Sequence, residues 1–171
     1  ASEYLTTFSK LMRNILDLSK QETITLEKEI STLNLYMELE ALRLEHKFDY
    51  SIVIDKNIST ELIKIPPLII QPFVENAIWH GLHNKKENGY ILIKIDENDN
   101  NQLLITVEDD GIGRKASALL KKQQVNHKSY GIEITINRLH LLNENNSVEI
   151  VDLYENEKAT GTKVAIKINL D

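Results

Sequence analysis

The chain predicts an α+β fold, a two-layer sandwich in which helices cover one face of a sheet, with a helical segment ahead of it. Three observations lead there. Apolar residues recur every three or four positions from Tyr4 to Leu44, and the period changes to two at Phe48. Beyond that point the elements read strand, helix, hairpin, polar stretch, helix, hairpin. With 171 residues there is room for one domain with a sizeable core plus a helical appendage, and not for two full domains.

The first helix is carried by Leu5, Phe8, Leu11, Met12, Ile15, Leu16 and Leu18 at helical spacing, an amphipathic pattern between Tyr4 and Leu18. Thr25 is an N-cap for a second helix, with Glu27 and Glu29 in the first turn, where the helix dipole favours carboxylates. Leu26, Ile30, Leu33, Met37, Ala41, Leu44 and Phe48 form its stripe, widened by Leu35, Leu39 and Leu42, so this face requires burial against the first helix, a partner chain or the following domain.

Phe48, Tyr50, Ile52 and Ile54 alternate with Asp49, Ser51, Val53 and Asp55 as in a strand, and the domain boundary is placed here, dividing residues 1–47 from 48–171. Pro66-Pro67 enforces extended backbone before a helix expected over about Leu68–Leu82. A hairpin follows, Tyr90–Asp96 and Leu103–Val107, joined by the Asn- and Asp-rich residues 97–101. Arg114–Ser129 is polar and rich in lysine, and is expected to act as a lid. A helix over Ile132–Leu142 and two strands, Val148–Tyr154 and Thr162–Leu170, complete the order.

The net charge of −6, a mild acidic bias, argues against nucleic acid as the main partner, which needs clustered Lys and Arg. With no cysteine there are no disulfides, thiolate metal sites or Cys nucleophile. No apolar run reaches the ~18 residues that span a bilayer.

Two blocks carry the chemistry: residues 71–81, Gln-Pro-Phe-Val-Glu-Asn-Ala-Ile-Trp-His-Gly, and residues 109–113, Asp-Asp-Gly-Ile-Gly. Adjacent Glu75 and Asn76 on a helix can offer a carboxylate and an amide oxygen to hydrated magnesium, which takes few protein ligands. Asp109 ends an apolar strand, where it can accept a hydrogen bond from the exocyclic amine of adenine, while Gly111 and Gly113 let the backbone turn close to a nucleotide. Asp110, pointing to the opposite face, is expected to be solvated or turn-forming. On an α-helix Asn76, His80 and His83 fall at i, i+4 and i+7 and share one face. His83 near the helix end reads as solvated, and His80 with His83 lacks the third ligand a zinc site needs.

In that order and separation the blocks resemble the N box and G1 box of the GHKL ATPases, whose sandwich is of the Bergerat type. The flanking text, Ile65-Pro66-Pro67-Leu68-Ile69-Ile70 before Gln71, and Thr25-Leu26-Glu27-x-Glu29-Ile30 with Tyr36-x-x-Leu39-Glu40-x-x-Arg43 upstream, is similar to the LytS-like branch of sensor histidine kinases. The resemblance covers nearly the whole chain.

It implies ATP and magnesium as cofactors. By resemblance Asn76 binds the magnesium that bridges the phosphates, and Glu75 polarises the attacking group or orders metal-bound water. His80 lines the pocket near phosphate or ribose, and Asp109, Gly111 and Gly113 form the adenine side. Gly131 opens a phosphate-holding helix, and Thr162 of Thr160-Gly161-Thr162 lies near the pocket. The γ-phosphoryl group passes to a histidine and then to an aspartate on a response regulator. The parent is implied to be a homodimer whose cytoplasmic part this is, with any membrane region upstream of Ala1.

The sequence departs from the family pattern in three places. Trp79 stands where many members have a phosphate-contacting lysine, a charge that Arg114 and the lid lysines could supply, and Glu133 replaces the second glycine of the second glycine box. No histidine sits in the Asn-Pro-His-Phe context of the phosphoacceptor. Residues 1–47 therefore read as the trailing part of a dimerisation region, in a fragment expected to bind nucleotide without phosphorylating itself. Two rivals stand beside this reading: a signalling module of the same fold that has lost nucleotide, favoured by Trp79 and Glu133, and an ATPase using Glu75 as base to water.

Overall fold

The computed structural model describes residues 2–121 and 130–170. Its helices are α1 (Ser2–Ser19), α2 (Leu26–Arg43), α3 (Gln71–Asn76), α4 (Arg114–Lys121) and α5 (Tyr130–Leu142). The strands are β1 (Ile24–Thr25), β2 (Phe48–Ile54), β3 (Lys64–Ile65), β4 (Gly89–Asn98), β5 (Gln102–Asp109), β6 (Ser147–Glu155) and β7 (Lys158–Asn169). α3 runs without a break into a π-helical stretch, Ala77–Leu82.

Five strands form one sheet in the order β2-β4-β5-β7-β6. Both long hairpins, β4-β5 and β6-β7, pair antiparallel, as does β5 with β7. β2 lies parallel to β4, because the chain between them crosses over through β3 and α3. Alternation along each strand sends Ile93, Ile95, Ile105, Val107, Val164 and Ile166 to one face, all buried beneath the helices. Lys94, Thr106 and Lys167 face the other way. This is the expected two-layer sandwich.

α2 begins where expected: the Thr25 hydroxyl accepts from the Lys28 amide at 3.3 Å. Its stripe is buried as its width requires, with Leu26, Leu33, Met37 and Leu39 joining the same core as the sheet. α1 differs. Thr7, Leu11 and Leu18 are buried, but Leu5, Phe8, Met12 and Leu16 form an exposed apolar stripe at steps of three or four residues.

Four local expectations are corrected or extended. The β1–β3 ribbon, two residues a side, was not anticipated; Ile24 pairs with Ile65 and Thr25 with Lys64. The helix expected from Leu68 starts at Gln71, because Leu68 adopts φ +59° and closes a turn first. Glu29 lies in the first turn of α2 as expected, but its carboxylate binds a distant segment. Buried to 2% exposure, it accepts from the backbone N–H groups of Leu68, Ile69 and Ile70 at 2.8, 2.8 and 3.1 Å, at the start of α3. Three donors hold an otherwise costly buried carboxylate, although burial still pushes its pKa up. Finally, Arg114–Lys121, the first half of the expected lid, is helix α4. The remainder, residues 122–129, lies outside the described residues.

Candidate functional site

The expected site residues converge from four elements around Asp109. β5 ends there, and alternation turns its side chain inward, to 6% exposure. One carboxylate oxygen accepts from the Gly111 N–H at 2.9 Å, and the Thr162 N–H on the neighbouring strand β7 also bonds the carboxylate. Burial outweighs those donors and, with the charges of Asp110 and Glu108 adding to it, raises the carboxyl to about 6. A buried carboxylate of this kind gains from a further hydrogen-bond donor that a ligand supplies.

Three glycines make its walls. A Cβ on Gly81, from the π-helical stretch, would stand 2.6 Å from the Asp109 Oδ1. A Cβ on Gly111 would stand 2.4 Å from the Gly81 backbone, and one on Gly161, with φ +141°, would stand 1.8 Å from the Asp109 carbonyl oxygen. The Ile112 N–H donates to the Gly81 carbonyl at 3.2 Å, tying the loop to the helix. Gly113, at φ +83°, turns the chain away into α4. Gly81 and Gly161 were not singled out from sequence, though both lie in quoted motifs; a glycine's steric role depends on its neighbours in space.

Asp110 behaves as a turn-former. Its Oδ1 accepts from the Tyr90 N–H at 2.7 Å and its Oδ2 pairs with Lys85 at 3.1 Å, fastening the end of β5 to the start of β4.

On the site helix Asn76 and His80 are half-buried and His83 is exposed. The one-face expectation for all three fails at His83. A π turn holds ~4.4 residues instead of 3.6, so each residue advances less than in an α-helix. This leaves His80 near the face of Asn76 and turns His83 away from it; His83 is exposed, as expected, with its ring 5.2 Å from that of Trp79, four residues before it. Trp79 in turn carries the guanidinium of Arg43, 4.4 Å from its ring centre. Glu75 is exposed beside α2; partial burial, then the charge of Glu40, push its carboxyl above the ordinary range. Among the described residues, Gln71 Oε1 at the start of this helix is a buried acceptor without a hydrogen-bond partner.

Gly131 is exposed at the opening of α5, and a Cβ there would reach no atom closer than 3.8 Å, on Pro72 of α3. Glu133 is exposed as well. Arg114, expected as a phosphate-facing cation, is instead paired with Asp152 through two bonds of 2.6 and 2.8 Å. Thus Gly81, Asp109, Gly111, Gly161 and Thr162 are brought together, Asn76 and His80 lie on the helix that supplies Gly81, and Glu75 is exposed beside α2.

A histidine kinase family model matches residues 1–48. The sensor histidine kinase/phosphatase LytS of Staphylococcus aureus is 36% identical over 113 residues, 66% of this chain. The chain spans 19% of that relative's length. In shape, the histidine kinase domain of Erythrobacter litoralis EL346 superposes with a TM-score of 0.58 at 19% identity, covering 99% of this chain and 74% of that one. Histidine kinase ThkA, in a crystal structure with the response regulator protein TrrA, gives 0.56 at 14% identity over 99% of this chain and 49% of its own. The two structures show that the fold is that of histidine kinase catalytic domains; with the sequence matches they place the chain among the LytS-like sensor histidine kinases of the GHKL type.

Proposed function

We propose that residues 48–171 bind magnesium ATP and present its γ-phosphoryl group to a histidine outside this chain, and that residues 1–47 belong to a dimerisation segment. The observation that carries this is the buried Asp109 carboxyl, walled by Gly81, Gly111 and Gly161. These glycines let the helix, the loop and β7 close on Asp109 and hold its carboxyl in one place, and a buried, fixed carboxylate fits the exocyclic amine of adenine. Bound ATP supplies the phosphoryl group and magnesium neutralises charge between its phosphates.

The chain's own residues bind and orient. Asp109 accepts the adenine amine, and Gly111 and Gly113 admit the ring by keeping the backbone close. Thr162 holds the carboxylate from β7. Asn76 offers the neutral oxygen that suits a hydrated magnesium ion, and His80, on nearly the same face, lies toward phosphate or ribose. Glu75, exposed beside α2, takes a proton from or orients the group that attacks. Gly131 at the opening of α5 offers backbone N–H groups to phosphate.

Calorimetric titration with a non-hydrolysable ATP analogue, with and without magnesium, tests this. Magnesium-dependent binding that Asn76→Asp abolishes is expected; no binding at millimolar ligand defeats the reading and leaves the nucleotide-free module. That second reading draws support from Trp79, which has a packing role beneath Arg43, and from the carboxylate of Glu133.

The exposed stripe Leu5, Phe8, Met12 and Leu16 supports a homodimer of the parent protein. The ThkA–TrrA complex supports a response regulator as the parent's partner. No helix of the described residues is long and apolar enough to cross a membrane; the parent's attachment to one, through a region upstream, belongs to the proposal.

A further inference from the structure

α2 touches the site helix at both of its ends. Near the start of α2, Glu29 holds the N–H groups of Leu68, Ile69 and Ile70, in a turn that Arg138 of α5 also grips through the Pro67 carbonyl at 3.0 Å. At its last residue, Arg43 is fixed by bonds of 3.2 and 2.6 Å to the Glu40 carboxylate and lies over the Trp79 ring. Between the two, the charge of Glu40 acts on Glu75. The two contacts run in the same order along both segments, 29 to 68–70 and 43 to 79, so α2 and the site helix run in the same general direction. Glu29 and Arg43 are about 21 Å apart along α2, whereas residues 70 and 79 are about 14 Å apart, and two long side chains reaching inward close the difference.

We propose that α2 splints the site helix, with Glu29 and Arg43 as positioning residues for nucleotide binding. The inference rests on the ATP-site reading above. Trp79 stands three residues after Asn76 and two before Gly81. Gly81 has no clearance against Asp109, so a tilt of the site helix about its start spoils the adenine cradle before it unfolds anything. Glu29 fixes the start, and Arg43 fixes the far end against tilt. By linkage, nucleotide binding in turn tightens the packing of α2 on the sheet domain. Trp79 then anchors a helix at a position where a phosphate-contacting lysine anchors a ligand.

The test is calorimetry with a magnesium-bound ATP analogue on the chain and on Arg43→Met, Arg43→Lys and Glu29→Gln, well below each variant's melting temperature. Emission of Trp79, the only tryptophan, is followed in parallel. Arg43→Met is expected to weaken binding about fivefold or more, Arg43→Lys to recover most of it by keeping a cation over the ring, and Glu29→Gln to weaken it about tenfold. A nucleotide-induced change in Trp79 emission is expected in the parent chain. Unchanged affinity in the Met and Gln variants, with the parent chain binding, overturns the splint and leaves the ATP site standing. Absence of binding by the parent chain removes the ATP site itself. If Glu29→Gln does not fold, the two Arg43 variants decide.

Discussion

Around Asp109, three glycines from three elements stand so close that a methyl group on any of them would overlap backbone or carboxylate, whereas at Gly131 the nearest atom to an added methyl is 3.8 Å away. The first region is set by backbone packing on the sheet and needs no ligand to complete it. The second rests on a helix opening beside Pro72, next to residues outside the described structure, with Glu133 exposed nearby. On the ATP-site reading, the difference teaches where discrimination would reside: the Asp109 end is built to tolerance, and the Gly131 end is built with room.

Gly161→Ala attacks the tight end most severely. Overlap at 1.8 Å combined with φ +141° leaves no relaxed position for Cβ. A loss of about 3–5 kcal/mol in urea denaturation is expected; a loss under about 1 kcal/mol breaks the claim that this end is rigid.

Asp109→Asn separates binding from stability. Asp109 titrates near 6 in the folded chain, above its ordinary value near 4, so its ionisation opposes folding above pH 6 and not below pH 4. The amide therefore raises stability by ~3 kcal/mol at pH 8, an advantage that fades as pH falls from 6 to 4, while nucleotide binding is lost. In the unsubstituted chain, affinity falls as pH drops through about 6, when the acceptor takes up a proton. Melting curves and titrations at pH 8 and 5 check both.

At the roomy end, Gly131→Ala exchanges the poorest ordinary helix former for the best with no clash among the described residues, and about 0.5–1 kcal/mol of stabilisation is expected. A loss of nucleotide affinity beyond tenfold shows that phosphate approaches this backbone closely, which would bring the two ends nearer in character. The smallest effect is expected from Arg114→Met. Its pair with Asp152 is half exposed, and such pairs contribute under ~1 kcal/mol. A large fall in affinity there would mean that Arg114 leaves Asp152 for phosphate.

The sheet was legible because strands announce themselves by alternation: the strand expected over Phe48–Asp55 is Phe48–Ile54, and the other four long strands agree to within a few residues. Asp109 and Asp110 were separated correctly for the same reason, since adjacent strand residues face opposite sides. The β1–β3 ribbon escaped because two residues carry no period. Glu29 looked like no more than a first-turn carboxylate because sequence distance hides a partner some forty positions away. The parallel pairing of β2 likewise arises from a crossover and leaves no local mark. For the site helix the apolar spacing was right and the winding was not, since 3.6 and ~4.4 residues per turn diverge only after a full turn.

That winding converts chain length into angle. The stretch Ala77–Leu82 holds one residue more than an α turn would need. Deleting one residue there would let the backbone close as α-helix with its hydrogen bonds intact. It would also rotate the residues beyond the deletion, bringing a side chain to the spot where Gly81 now leaves space for Asp109. Such a chain is expected to lose the close packing on Asp109 and, on the ATP-site reading, nucleotide binding with it. At this point in the molecule the register of the polypeptide, counted in residues, is part of what seats the helix on the sheet.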